Sequence, residues 1–429
     1  MRLRPPTLFL PVLAIALLGG FLWTLPRAEA AEERQRIYLG IDSLAERDFD
    51  ILAGKRVGLL THPAGVNRNG RSTVDILAEA PQVALVALFG PEHGVYGDAA
   101  ASEKVEDQID RRTGLPVYSL YGDTRKPTPA MLEGIDVMVV DLQGIGARSY
   151  TYISAMKLAM EACFQNGVEF VVLDRPNPLG GLKIDGPIME TRWMSYVGDY
   201  RIPYVHGLTI GELARMLKEV PGWLDVEPAV RRQGSLTIVP MRGWYRWMRW
   251  PQTGLRWVPT SPNIPDLSAV LGYAMTGLGT QIGPFRHGIG TPYPFRLLSH
   301  PEYSPRRLAQ VLEGLEIPGL SFRVTRYQQS SGQVTRGVYV VADNYRDLRP
   351  TALSFHLMAL TCEWAAPRNP FAEASKAEQT LFNKHVGSTR WWRDLLTECP
   401  EVDVGAFLAF TAREAATFRD FSAQYYLYQ

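Results

Sequence analysis

A glutamate and a histidine stand side by side at Glu92-His93, between the break Gly90-Pro91 and Gly94, directly after the apolar run Val83 to Phe89. A carboxyl group beside an imidazole can give and take protons near neutral pH, and flanking glycines let a backbone come close to a ligand. Two more polar loops follow apolar runs in the same way. Asp141-Leu142-Gln143-Gly144-Ile145-Gly146-Ala147-Arg148-Ser149-Tyr150 offers a carboxylate, an amide, a guanidinium and a phenol. Asp174-Arg175-Pro176-Asn177-Pro178 offers a carboxylate, a guanidinium and an amide. An arginine in a cleft suits a carboxylate or phosphate on the ligand. Each aspartate also has a plain structural reading, Asp141 as the cap of its own turn and Asp174 as the ion-pair partner of Arg148 or Arg175.

Gly144 and Gly146 fall short of a dinucleotide fingerprint, because Ser149 stands where the third glycine belongs. The loop therefore reads as a sugar- or acid-binding loop, and no cofactor is expected. His206, His287, His300, His356 and His385 show no metal-ligand spacing, so no metal is expected either. His287, in the glycine-rich stretch 277–290, and Asn263, in Ser261-Pro262-Asn263, join the ligand-binding candidates. Serine-hydrolase and zincin motifs are missing from the sequence.

The elements that must position these loops alternate. Val57 to Leu60, Val83 to Phe89, Pro116 to Leu120, Ile135 to Leu142 and Phe170 to Leu173 are predicted strands, and Thr151 to Asn166 has helical spacing. Strands that are apolar throughout and separated by helices indicate a parallel sheet covered on both faces. Right-handed crossovers then place the loops at the carboxyl ends of the strands on one edge, where ligands bind. His62, Glu92, His93, Asp123, Asp141, Gln143, Arg148, Tyr150, Asp174, Arg175 and Asn177 become candidates for one cleft. After Pro203 the pattern turns to mixed helices and strands, with a tryptophan- and arginine-rich stretch from Trp244 to Trp257. The expected architecture is an α/β domain with a parallel sheet over residues 31–258 and a smaller α+β domain over 259–429.

The 429 residues are 46% hydrophobic and 21% charged, which is ordinary for a globular protein. A formal charge of +1 without a long basic run argues against a nucleic-acid partner. Arg2 and Arg4, the apolar run Leu8 to Trp23 and Ala28-Glu29-Ala30 read as a cleavable signal peptide over residues 1–30. Cleavage removes Arg2, Arg4, Arg27 and Glu29, turns +1 into −1, and leaves a periplasmic or secreted protein not inserted in the membrane. The alternative is an uncleaved N-terminal anchor facing the periplasm. Cys163, Cys362 and Cys399 are too few for a disulfide framework, although Cys362 and Cys399 could pair.

Taken together, Phe89-Gly90-Pro91-Glu92-His93-Gly94, Tyr118-Ser119-Leu120-Tyr121-Gly122, Asp141-Leu142-Gln143 with Gly146-Ala147-Arg148, Tyr150-Thr151-Tyr152-Ile153 and Leu173-Asp174-Arg175-Pro176-Asn177-Pro178-Leu179-Gly180-Gly181 resemble the NamZ (YbbC-like) family. Its characterised members are exo-β-N-acetylmuramidases of peptidoglycan recycling, and the resemblance implies a Rossmann-like N-terminal domain and a smaller C-terminal domain with the active-site cleft between them. The resemblance implies removal of N-acetylmuramic acid from the non-reducing ends of peptidoglycan fragments. Glu92 would be the general acid, and Asp141 or Asp174 the second carboxylate that a glycosidase ordinarily needs. Arg148 or Arg175 would hold the lactyl carboxylate of muramic acid. The likeness weakens at Leu278-Gly279-Thr280-Gln281, at Arg286-His287-Gly288 and at Tyr293-Pro294-Phe295-Arg296, where family members tend to carry acids. Those departures motivate an alternative, a non-catalytic muropeptide-binding protein on the same fold.

Overall fold

The computed structural model describes residues 36–97, 103, 106–328 and 332–429. The predicted signal segment lies outside these residues. In chain order the strands among them are β1 (Arg56–Thr61), β2 (Ala84–Gly90), β3 (Gln108–Ile109), β4 (Pro116–Ser119), β5 (Val137–Asp141) and β6 (Glu169–Leu173). They continue as β7 (Asp185–Ile188), β8 (Pro203–Val205), β9 (Leu236–Val239), β10 (Leu297–Leu298), β11 (Leu320–Gln328) and β12 (Val334–Ala342).

The central sheet has the order β3-β4-β2-β1-β5-β6-β9 and is parallel except for β3, which runs antiparallel to β4 at the edge. The pleat explains its two-sided core. Leu60, Phe89, Met138, Val140, Phe170 and Val172 face one side and meet the helices Tyr152–Gln165 and Ile210–Glu219. Val57, Leu59, Leu88, Val137, Val139 and Val171 face the other and meet the helices Gly40–Ala45 and Thr73–Glu79. Because β1, β2, β4, β5 and β6 run in one direction, their carboxyl-end loops share an edge, as the strand pattern predicts. Ser72 and Thr128 cap the helices that follow them, accepting from Val74 N and Met131 N.

The second half contains the antiparallel sheet β10-β12-β11 and helices, including Leu267–Thr276, Ala352–Ala365 and Val404–Ser422. One apolar cluster crosses residue 258. Ile145, Leu179, Tyr204 and Val205 pack in it with Ile264, Leu278, Phe355 and Phe407. The chain then returns to the first half at its last residues: Leu427 N donates to Glu212 Oε1 and Tyr428 OH to Asp174 Oδ2. Cys362 and Cys399 are free thiols, and burial together with the neighbouring Cys399 pushes the Cys362 thiol up.

Candidate active site

Glu92 leaves the end of β2 in a tight turn closed by Gly94 N donating to Pro91 O at 2.8 Å. His93 holds the third position of that turn with φ of +71°, a region where glycine is usual in such turns. A strained non-glycine backbone of this kind is a feature of sites where side-chain aim matters. A β-carbon on Gly90 would come within 2.9 Å of Val95 N, so the loop can fold back on itself only with glycine there.

Thr151 Oγ1 donates to Glu92 Oε2 at 2.7 Å. Thr151 is the N-cap of the helix Tyr152–Gln165, yet its side chain makes no cap hydrogen bond. A cap is ordinarily worth about 1 kcal/mol, so this hydroxyl serves the carboxylate instead of the helix. Thr151→Val is therefore expected to cut turnover about 10- to 100-fold, the range of a hydrogen bond to a charged group, while thermal melting stays within a degree or so of the parent. Thr151→Ser should restore the rate; a Val variant with parental turnover would remove the contact from the mechanism.

Around Glu92 stand phenols. Burial raises the pKa values of Tyr152, Tyr196 and Tyr273, and the charge of Glu92 adds to the rise in each. Tyr152 OH donates to Thr260 O at 2.5 Å, and Tyr150 OH donates to Thr260 Oγ1 at 2.7 Å. Ser149 Oγ donates to Tyr204 OH at 3.0 Å and lies 2.9 Å from Tyr273 OH. Tyr273 comes from the helix Leu267–Thr276, so the second half of the chain supplies part of this wall. His62 packs edge-on against Tyr152, with ring centroids 4.6 Å apart. Its Nε2 accepts from Gln143 N at 2.8 Å, which places the imidazole proton on Nδ1. Burial, with the nearby Arg175 and His93, holds the His62 pKa well below the usual histidine range. Glu92, His93, His62, Gln143 and Tyr150 thus belong to one connected region, joined by Thr151, Tyr152 and Tyr273, none of which is among the site candidates of the sequence.

The other candidates are engaged elsewhere. Asp141 is fully buried; Arg175 grips it with Nε on Oδ1 and Nη2 on Oδ2, and Thr73 Oγ1 donates to Oδ2 at 2.5 Å. Arg175 Nη2 also donates to Val66 O at 2.6 Å. Asp174, likewise fully buried, accepts from Arg175 N, Gly211 N, Thr209 Oγ1 and Tyr428 OH. Burial pushes its pKa up to about 6. These surroundings give both aspartates the work of anchors, with their oxygens on the protein's own donors. Arg148 is also fully buried and donates to the carbonyls of Pro187, Ile202, His385 and Val386, which ties distant segments together and leaves it away from any ligand carboxylate. Asn177 shapes its own turn, accepting from Leu179 N and donating to Leu208 O.

Asn263 is half-buried in the 259–263 segment, and Asp123 is exposed on the loop after β4. His287 sits in the second-half loop facing the Thr276 backbone, and burial lowers its pKa to about 4. Of the departing positions, Leu278 is in the apolar core and Arg296 donates to Val340 O and Ser268 Oγ over the face of Tyr339. The side chains at these two positions are absorbed by second-half packing. A cavity of about 240 Å³ lies beside Gln143 and Arg175, walled by Asn67, Arg68, Trp250 and Trp257.

Two buried histidines predict the acid limb of stability. His206 is lowered to about 3 by burial and by Arg148, and His62 lies well below normal. Below pH 6.5 the unfolded chain protonates these rings and the folded chain does not, so stability falls as pH falls toward the folded values. Each contributes about 1.4 kcal/mol per pH unit in that window. Asp174 works in the opposite sense between pH 4 and 6, since its raised pKa favours the folded form as it protonates. Urea midpoints between pH 7 and pH 5 should fall, and fall less in His206→Gln; a midpoint that rises over that interval would contradict the assignment.

Comparison with known proteins identifies the family. The N-terminal domain model of the exo-β-N-acetylmuramidase NamZ matches residues 57–268, and the C-terminal domain model matches residues 271–428. The chain is 46% identical over 297 residues to the peptidoglycan β-N-acetylmuramidase NamZ of Bacillus subtilis strain 168, covering 69% of each chain. A crystal structure of a DUF1343 family protein from Bacteroides fragilis NCTC 9343 superposes with a TM-score of 0.82 at 40% identity, covering 92% of this chain and 99% of that one. A second DUF1343 protein from the same organism, at 24% identity and a TM-score of 0.68 over the same coverage, shares the fold. Matched along nearly all of its described length, the chain belongs to the NamZ family.

Proposed function

We propose that this protein is an exported glycoside hydrolase that releases N-acetylmuramic acid from the non-reducing ends of peptidoglycan fragments, with Glu92 as general acid. The observation that carries the reading is the Thr151–Glu92 hydrogen bond inside a ring of phenols at the carboxyl edge of the sheet. A half-buried carboxyl group held by a hydroxyl can deliver a proton to the leaving glycosidic oxygen. The family relationship supplies the sugar. Export rests on the basic, apolar and small-residue segments before residue 31.

Incubation of the purified protein with a chromogenic β-N-acetylmuramide is expected to release the chromophore. Failure on any amino-sugar glycoside, combined with tight binding of muropeptides in calorimetry, would replace the hydrolase reading with that of a glycan-binding protein. Sequencing the N-terminus of protein recovered from the periplasm tests the export reading, with Ala31 expected first. A protein still carrying Met1 and held in the membrane fraction would favour the anchored form.

A further inference from the structure

Both arginines that the sequence suggested for the ligand's carboxylate already have partners inside the protein. A third, Arg125, lies on the loop beside that of Glu92. Strands β2 and β4 are neighbours in parallel register, Gly90 opposite Ser119, and Leu120 N donates to Gly90 O at 2.8 Å. Their loops therefore leave the sheet side by side, Glu92 two residues beyond Gly90 and Tyr121 two beyond Ser119. Within the β4 loop the Thr124 hydroxyl bridges across the next residue, accepting from Lys126 N at 3.1 Å and donating to Lys126 O at 2.7 Å. That turn presents Arg125.

The Arg125 side chain is exposed, and its guanidinium carbon lies 4.9 Å from the ring centroid of Tyr121 and 4.5 Å from that of Tyr196. The two rings are 5.9 Å apart. Two buried arginines of this protein are matched with carboxylates, Arg175 with Asp141 and Arg246 with Glu212, while Arg148 and Arg296 spend their donors on the protein's own carbonyls. Arg125 forms no ion pair with a carboxylate among the described residues. Stacking on aromatic faces uses the plane of a guanidinium and leaves its edge donors, arranged as a fork, for a carboxylate. The Tyr196 hydroxyl is enclosed and has no hydrogen-bond partner among the described residues. The charges of both Glu92 and Arg125 act on that same phenol.

We infer that Arg125, stacked on Tyr121 and Tyr196, is the specificity-determining residue that holds the carboxylate of an acidic amino sugar while Glu92 addresses its glycosidic oxygen. The inference rests on the muramidase reading and adds the group that recognises the acid. In muramic acid the lactyl ether is carried on C3 and the scissile bond on C1, so the two protein groups must stand across one pyranose ring from each other. Glu92 and Arg125 stand on the loops of adjacent strands, and the charges of both act on the Tyr196 phenol, an arrangement suited to that requirement. A neutral N-acetylglucosaminide offers Arg125 nothing.

The test compares three chromogenic substrates: the β-N-acetylmuramide, its lactyl methyl ester and the β-N-acetylglucosaminide. The parent protein is expected to favour the acid over the ester by 10- to 100-fold in kcat/KM, chiefly through KM, and to lose part of that preference at high salt. In Arg125→Ala the acid-to-ester ratio should collapse toward one, and Arg125→Lys should recover part of it. Circular dichroism confirms folding of the variants. An unchanged acid-to-ester ratio in Arg125→Ala overturns the inference and leaves the hydrolase reading intact. If the parent turns over none of the three, the hydrolase reading fails instead, and calorimetry with free N-acetylmuramic acid decides the subsite. Binding weakened at least tenfold by Arg125→Ala then supports it, and equal binding overturns it.

Discussion

Glu92→Gln is expected to lower kcat/KM on an unactivated muramyl glycoside by roughly 10²- to 10⁴-fold, the usual contribution of a positioned acid. Glutamine preserves the shape of the side chain and retains an oxygen to accept from Thr151, so the loop and the melting temperature should be unchanged. The leaving group separates proton donation from other roles. A poor leaving group, such as the next sugar, departs only when its oxygen is protonated. A dinitrophenolate needs little help. The variant should accordingly lose far more activity on the natural linkage than on a dinitrophenyl glycoside. Equal losses on both substrates would point to a structural or electrostatic role, and undiminished turnover would take Glu92 out of the chemistry.

The second large effect is on stability. Asp141→Ala is expected to destabilise the fold by about 3–5 kcal/mol, because it strands the Arg175 guanidinium, buried to 3% exposure, without its counter-charge. Thr73 Oγ1 would lose its acceptor as well. Replacing both partners, as in Asp141→Leu with Arg175→Met, should recover much of the loss, since an apolar pair of similar volume has no charge to desolvate. Urea titration measures both variants. If Asp141 were instead the second carboxylate of the reaction, Asp141→Ala would keep its urea midpoint and lose turnover, the reverse of the expected pattern.

The two aspartates illustrate how far a sequence can be read. Asp141 and Asp174 each follow an apolar strand, as Glu92 does, and on local pattern alone the three are equivalent. What separates them is their partners: Arg175 is 34 residues from Asp141, and Tyr428 is 254 residues from Asp174. Arg148 shows the same thing, since its acceptors include carbonyls 237 and 238 residues away. Arg125 is hidden in the sequence for the opposite reason. It sits in a polar loop with no apolar periodicity to mark it, and its stacking on Tyr196 becomes visible only when two distant loops meet.

The sequence by itself determined the alternation of apolar strands and helices, the parallel sheet, the shared carboxyl edge and the place of Glu92 on it. These follow from burial, which repeats with the short periods of strand and helix and is therefore written locally in the chain. The tertiary structure alone decided which polar groups on that edge, Asp141, Asp174 and Arg148 among them, are taken up by the protein's own partners. Hydrogen-bond and ion-pair partners come together from any distance in the chain, and a carboxylate becomes an anchor or an acid according to what the fold brings against it.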